Sequence, residues 1–373
     1  MVSLVDKLVG LPKILDSANV ENVSVDRITE KAQDGIFMVE ELAAVLKHKA
    51  LFFAEIMEKA KKLNEKMYAK EIDFYAVSYL SDFCINSCNY CGHNQELPQE
   101  RSVLTAKEME QDFDQVLKYG PAEICILAGE DPRVVTPEFL VMAGNIAKRS
   151  DCLGKLERIN FNVAPMSVSD FQKIRAGIDH QLQFRVFQES YDPVTYGGHH
   201  PSGPKKNFEF RVNAQERALE AGFDEVGIGT LLGLNCNDGG HDYEILSLIA
   251  HAYHIKEISG KFPQSISIPR HQKIPNHCFA TPNPVDDLSY IAYHGIIRLA
   301  LPETRIIVTN RERTELRDIL RPMINIEDLA ARPGVGGNYK AAVCMQNELG
   351  DARGPEELIT DLRSKGYKVK VRI

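Results

Sequence analysis

Eight short apolar runs, separated by seven helical patterns, occupy the stretch from Ile72 to Ile326 and constrain the fold more than any other feature of the chain. They read IDFYAVSY (72–79), EICILA (123–128), RINFNV (158–163), LQFRVF (182–187), EVGIG (225–229), SISIP (265–269), RIIVT (305–309) and, more weakly, MINI (323–326). Short apolar runs alternating with longer segments of helical period are the pattern of parallel strands and their crossover helices. Two of the helical segments carry their own punctuation: TAKEMEQDFDQVLKYG opens on a Thr105–Glu108 capping box, and NAQERALEAG closes on glycine. Eight such units predict an α/β fold, a closed (βα)8 TIM-type barrel; the weak eighth run keeps a doubly wound open sheet as the alternative.

Residues 1–70 predict an N-terminal helical cap, in which Val39–Tyr68 repeats its apolar positions at helical spacing. The barrel spans 71–326, and 327–373 form a short C-terminal α/β appendage whose GPEELITDLRSKGYKVKVRI reads as a helix, a glycine stop and an edge strand packed on the barrel.

Composition excludes several function classes. The net charge of -8 is spread along the chain and leaves no basic footprint for nucleic acid. The opening MVSLVDKLVGLPKILDS interleaves charges with its apolar residues, unlike a signal peptide, and no apolar run approaches a membrane span. Eight unevenly spaced cysteines do not make a disulfide framework. These features predict a cytoplasmic protein with neither nucleic-acid nor membrane partners.

A β/α barrel builds its active site where the C-terminal ends of its strands open into loops. Polar groups crowd those positions here: AGED (Ala128–Asp131), Asn160 and Asn162, QESY (Gln188–Tyr191), Gly227 and Gly229, Arg270, and NRE (Asn310–Glu312). Each alone is an ordinary turn, packing glycine or solvated end; their convergence on one face predicts a polar pocket.

After the first strand comes FCINSCNYCGHN, with Cys84, Cys88 and Cys91 and no fourth cysteine nearby. Structural zinc takes four ligands, usually as two pairs, and this chain has no second pair; His93 would complete such a site only in a cramped geometry. Cys125, Cys152, Cys236, Cys278 and Cys344 are scattered and read mostly as small buried hydrophobes. An iron–sulfur cube normally takes four cysteines, so three leave one iron open to a ligand that is not protein.

Cys-x3-Cys-x2-Cys with Tyr90 before the last cysteine resembles the signature of the radical S-adenosylmethionine (SAM) superfamily. That resemblance implies a [4Fe-4S] cluster on Cys84, Cys88 and Cys91, SAM on its open iron, and a 5'-deoxyadenosyl radical that abstracts hydrogen from a small molecule. It also implies a low-potential electron donor of the flavodoxin or ferredoxin type. At matching positions, Ala128, Gly129 and Glu130 hold the methionyl amino group, Arg211 pairs with the SAM carboxylate, and Tyr90, Gly227 and Gly229 lie against adenine. Asn162, Gln188 and Glu189 complete the SAM contacts.

Beyond the shared motifs, YLSDFCINSCNYCGHN, ILAGED, VFQESYDPVTYGGHHPSGPKKNFEFR, ALEAGFDEVGIGTLLGL, SISIPR and IIVTNRE resemble the aromatic amino acid lyase group. This group contains the tyrosine lyase (2-iminoacetate synthase), the [FeFe]-hydrogenase maturase HydG and the tryptophan lyase NosL. The resemblance implies a carbon–carbon lyase in cofactor biosynthesis, with Tyr79, Arg270, Gln272 and Arg311 as candidate substrate contacts. Three departures qualify it. The sequence runs out at YKVKVRI without the cysteine-bearing extension of the maturase, so a complete HydG is not expected. PRHQK puts Gln272 where the group carries a carboxylate-binding arginine, leaving Lys273 or Arg311 as replacement anchors, and an amide is no equivalent of a bidentate guanidinium. Thr309 and Asn310 replace a Ser-Thr pair in the same wall. A changed anchor is also what an HmdB or HcgA type paralogue would have, a relative associated with the iron-guanylylpyridinol cofactor of [Fe]-hydrogenase. The remaining alternatives are a structural zinc module and an electron carrier.

Overall fold

The computed structural model describes the chain except Met1, Asn22, Lys155, Asn276, residues 341–344, Arg372 and Ile373. Cys344 therefore lies outside the described residues. Eight parallel strands close on themselves: β1 (Glu71–Ser81), β2 (Glu123–Ala128), β3 (Arg158–Asn162), β4 (Leu182–Arg185), β5 (Glu225–Gly229), β6 (Ser265–Ser267), β7 (Arg305–Val308) and β8 (Ile326–Asp328). Closure is made by β1, which pairs with β2 from Tyr75↔Glu123 and with β8 from Asp73↔Ile326. The expected barrel is present, and the open sheet is not.

Strand alternation divides the core in two. Phe74, Ala76 and Leu80 of β1 point outward into the large core shared with the helices, whereas Tyr75, Val77 and Tyr79 point inward beside Cys125, Ile307 and Ile326. Low in the barrel the interior is polar and largely paired, Asn160 Oδ1 and Gln183 Oε1 being without a partner: Arg185 Nη2 donates to Glu123 Oε1 at 2.5 Å, and Asn160 Nδ2 to the same oxygen at 2.8 Å. Asn160 is thus a structural residue and does not open into the mouth.

Two elements differ from expectation. The helical run 39–68 is two helices, Val39–Lys47 and Lys49–Tyr68, because His48 at φ -110° and ψ 27° leaves the helical region. The eighth strand lies at Ile326–Asp328 rather than 323–326, since Arg321–Met323 form a 3-10 turn. Its Glu327 is fully buried and accepts from Arg317 Nη2 and from Arg321 Nε at 2.7 Å. Ion pairing rather than an apolar side-chain run holds that strand.

The tail forms helix Pro355–Ser364 and β9 (Lys368–Lys370), which pairs in parallel with the start of β1, Glu71↔Lys368. The Thr105–Glu108 capping box is formed, and helix Ala214–Glu220 is followed by Gly222 at φ +91°. Among the described residues no helix is long and apolar enough to cross a membrane.

Candidate active site

The cysteine loop is held by its neighbours rather than by regular structure. Gly129 N–H donates to Ser81 O at 2.8 Å and Ile85 N–H to Glu130 O at 2.9 Å, tying the loop to the AGED turn. The approach leaves no room for a side chain: a Cβ on Gly129 would lie 2.3 Å from Phe83 O. On the other flank the HHPSGPK segment wraps the loop. Lys205 N–H donates to Asn86 Oδ1 at 2.8 Å, and Gly203, at φ +89°, would carry a Cβ 2.6 Å from Ile85 O.

Cys84, Cys88 and Cys91 line one cavity of about 110 Å³ together with Ala128, Gly129, Glu130, Asn162, Glu189 and Arg211. A mouth cavity of about 100 Å³ adjoins it, lined by Tyr90, Gln272, Arg311 and Asn347 among others, and a deeper one of about 70 Å³ runs down the barrel axis past Tyr75, Tyr79 and Asp328. Leu127 and Asn162 line all three, so the cysteines, the mouth and the barrel interior are one connected space.

The donor set fits an iron–sulfur cluster. All three cysteines are free and line one cavity, and three thiolates are the soft donors that an iron–sulfur cluster takes. Burial pushes the Cys88 thiol up to about 12 and raises that of Cys91, with the Lys205 charge opposing in both cases. A metal must therefore displace their protons on binding. Polar hydrogens already point at the sulfurs: Asn86 Nδ2 lies 3.6 Å from Cys84 Sγ, and the His93 N–H donates to Cys91 Sγ at 3.4 Å.

The rest of the first cavity is charged on both sides. Asn86 Nδ2 donates to Glu130 Oε2 at 2.8 Å, which aims that carboxylate at the cavity. Opposite, Glu189 has the left-handed φ of +72°, a conformation costing on the order of 1–3 kcal/mol in a non-glycine residue. Thr230 Oγ1 and Leu231 N–H both donate to its carbonyl, at 2.8 and 3.0 Å, and hold it there. The turn sends its carboxylate to Lys205 Nζ at 2.7 Å and Arg211 Nη2 at 3.4 Å. Burial alone would raise the Glu189 carboxyl, but the two cations outweigh it and hold it below the usual range. Tyr90 is fixed through its hydroxyl. His200 donates from Nδ1 to Tyr196 O at 2.6 Å, so its Nε2 accepts from Tyr90 at 2.7 Å.

Other expected residues are elsewhere. Arg270 lines none of the three cavities: its guanidinium is taken by Glu312, by Asp287 at 2.9 Å and by the Tyr290 ring at 4.7 Å. Gln188 is buried behind the wall with both side-chain amide atoms unpartnered. Gly227 and Gly229 lie behind it as well; a Cβ on Gly229 would meet the Phe187 ring at 2.5 Å, so this glycine seats a wall residue instead of touching the space itself. Lys273 is exposed. Cys125 is buried as expected, whereas Cys152, Cys236 and Cys278 are exposed.

Arg311 is different. It lines both the mouth and the deep cavity, and among the described residues no hydrogen bond or ion pair engages its guanidinium. Lys205, Gln346 and Asn347 also line the site. None of the three was expected from the sequence: Lys205 stands in the 3-10 turn Pro204–Lys206, Gln346 and Asn347 in an irregular segment, and neither has a periodic pattern.

The barrel, the three-cysteine loop and the charged cavity beside it are the arrangement expected of a radical SAM enzyme. No family model matches the chain. It is 25% identical over 336 residues to the 2-iminoacetate synthase of Salmonella typhimurium, covering 88% of this chain and 85% of that protein. Two HydG structures superpose on 99% of it: one with a TM-score of 0.88 at 28% identity, over 80% of that chain, and that from Carboxydothermus hydrogenoformans with 0.87 at 29%, over 84%. These likenesses support the tyrosine lyase group of the radical SAM enzymes, ThiH and HydG type, and with it SAM, an iron–sulfur cluster and a small-molecule substrate.

Proposed function

We propose that the chain holds a [4Fe-4S] cluster on Cys84, Cys88 and Cys91, binds SAM against Ala128–Glu130, Glu189 and Arg211, and acts as a lyase on a carboxylate-bearing small molecule seated in the barrel, as the tyrosine lyase does. One observation carries this reading: the cysteine cavity opens through Leu127 and Asn162 into a barrel cavity lined by Arg311, whose guanidinium has no hydrogen-bond or ion-pair partner among the described residues.

When bound, the cluster and SAM supply the electron and the 5'-deoxyadenosyl radical. The protein's own residues do the rest. Glu130 receives the methionyl ammonium. Arg211 and Lys205 exceed the charge of Glu189 by one, and the surplus cation suits the SAM carboxylate. Arg311 takes the substrate carboxylate in the role that Gln272 cannot fill, because an amide offers one neutral donor group where guanidinium offers a charged fork. The buried Tyr79 and the half-buried Leu127 and Phe187 wall the radical path and limit water there. A flavodoxin or ferredoxin type protein is the fitting reductant.

Anaerobic turnover with L-tyrosine tests the reading, with 5'-deoxyadenosine and p-cresol as products. Deoxyadenosine without p-cresol rejects tyrosine and favours the HmdB or HcgA type paralogue, for which Gln272 at the mouth is the supporting observation. No deoxyadenosine from a protein with intact cluster overturns the enzyme reading.

A further inference from the structure

Segment 345–349 reaches the mouth from beyond the barrel strands and brings the Gln346 side chain to the cysteine loop. Gln346 lines both the cysteine cavity and the mouth. Its Nε2 donates toward Cys91 Sγ at 3.8 Å, and the Tyr79 hydroxyl donates to its Oε1 at 2.9 Å. The backbone is fixed on both sides: Gly92 N–H donates to Gln346 O at 3.2 Å, and Gln346 N–H to Pro333 O at 2.8 Å. A Cβ on Gly92 would lie 2.3 Å from Met345 O, so the cysteine loop and this segment are in direct backbone contact.

We propose that Gln346 is a positioning residue that sets how readily the cluster on Cys84, Cys88 and Cys91 accepts an electron; the proposal rests on the cluster reading of those cysteines. One-electron reduction adds one negative charge, shared in part by the thiolate sulfurs, and an N–H aimed at such a sulfur stabilises the reduced state more than the oxidised one. The amide can face Cys91 in one sense only. Turned over, it would set Oε1 against the lone pairs of a thiolate, and it would lose the Tyr79 O–H that now holds Oε1 away. Tyr79 also lines the deep cavity, so the residue that orients the amide belongs to the substrate wall.

The experiment is an EPR-monitored redox titration of the reconstituted full chain, without substrate, alongside iron content. The midpoint potential is expected to fall in Gln346→Leu, which lacks the donor, and to fall further in Gln346→Glu, which puts a carboxylate beside the thiolate, with iron per chain unchanged. No shift, or the same shift in both variants as general loosening would give, overturns the proposal. If both variants lose iron, Tyr79→Phe decides: it keeps the donor but frees the amide, and a potential identical to wild type counts against the idea. A wild-type protein that binds no cluster overturns the reading beneath; a brown wild type with unmoved variants overturns this proposal alone.

Discussion

Arg270 and Glu312 meet outside the barrel mouth, Nε to Oε1 at 3.0 Å with Nη2 on the second oxygen, and this pairing is why the arginine of SISIPR does not serve the cavity. Glu312 is the residue after Arg311, so one side of the NRE turn occupies a cation outside while the other leaves its own facing in. Arg311→Gln is expected to raise KM for a carboxylate substrate on the order of 100-fold, from the loss of about 2–3 kcal/mol in a charge-assisted contact. Arg270→Gln should lower thermal stability and leave KM near wild type. Steady-state kinetics of both variants, with their melting temperatures, check the contrast.

Replacing Cys84, Cys88 or Cys91 singly by serine is expected to abolish deoxyadenosine formation and reduce bound iron. The exposed Cys152 and Cys236, changed to serine, should leave iron per chain at the wild-type level. Iron assay and visible absorbance after anaerobic reconstitution separate the two groups.

Gly129→Ala forces its methyl group to within 2.3 Å of Phe83 O, next to Cys84. Backbone against backbone has no rotamer to relieve it, so a loss of about 1–3 kcal/mol is expected, together with poorer iron retention. Urea unfolding and iron content measure both effects. A variant of wild-type stability would show that the loop yields.

Acid should destabilise the fold. Burial lowers His251 to about 3 and His294 to about 4, whereas an unfolded histidine takes its proton near the ordinary 6.5. A lowered histidine contributes stability that is complete above that ordinary value and is lost as pH falls below it, by up to about 1.4 kcal/mol per pH unit for each residue. Glu244 opposes: burial raises it to about 7, so its contribution falls as pH rises from 4.5 toward 7. Urea midpoints between pH 7 and 5 are expected to drop. The drop should be shallower in His251→Gln with His294→Gln and steeper in Glu244→Gln.

Legibility followed the physical cause of each element. Seven strands could be read because their faces are apolar or turned into a packed barrel, and the eighth was displaced because Glu327 and Asp328 are buried by pairing, with Arg317 for the first and the Asn310 and Ala331 N–H groups for the second. No hydropathy pattern announces a strand of that kind. The cysteine loop and AGED were legible as a spacing and a turn. Arg270 misled because Glu312, 42 positions away, captures it. Gln346 and Asn347 were invisible for the opposite reason: they sit in an irregular segment whose position depends on backbone contacts to Gly92, Pro333 and Lys273.

The pairing of Glu71 with Lys368 also bears on how the chain is made. The two partners are about 300 residues apart, and closing so long a loop is among the slower events a chain can undergo. At the ribosome the first barrel strand emerges long before β8 and β9, the neighbours on its second edge, exist. Until they do, β1 presents an open edge, and this is the interval in which a chaperone or an aggregating neighbour competes for it.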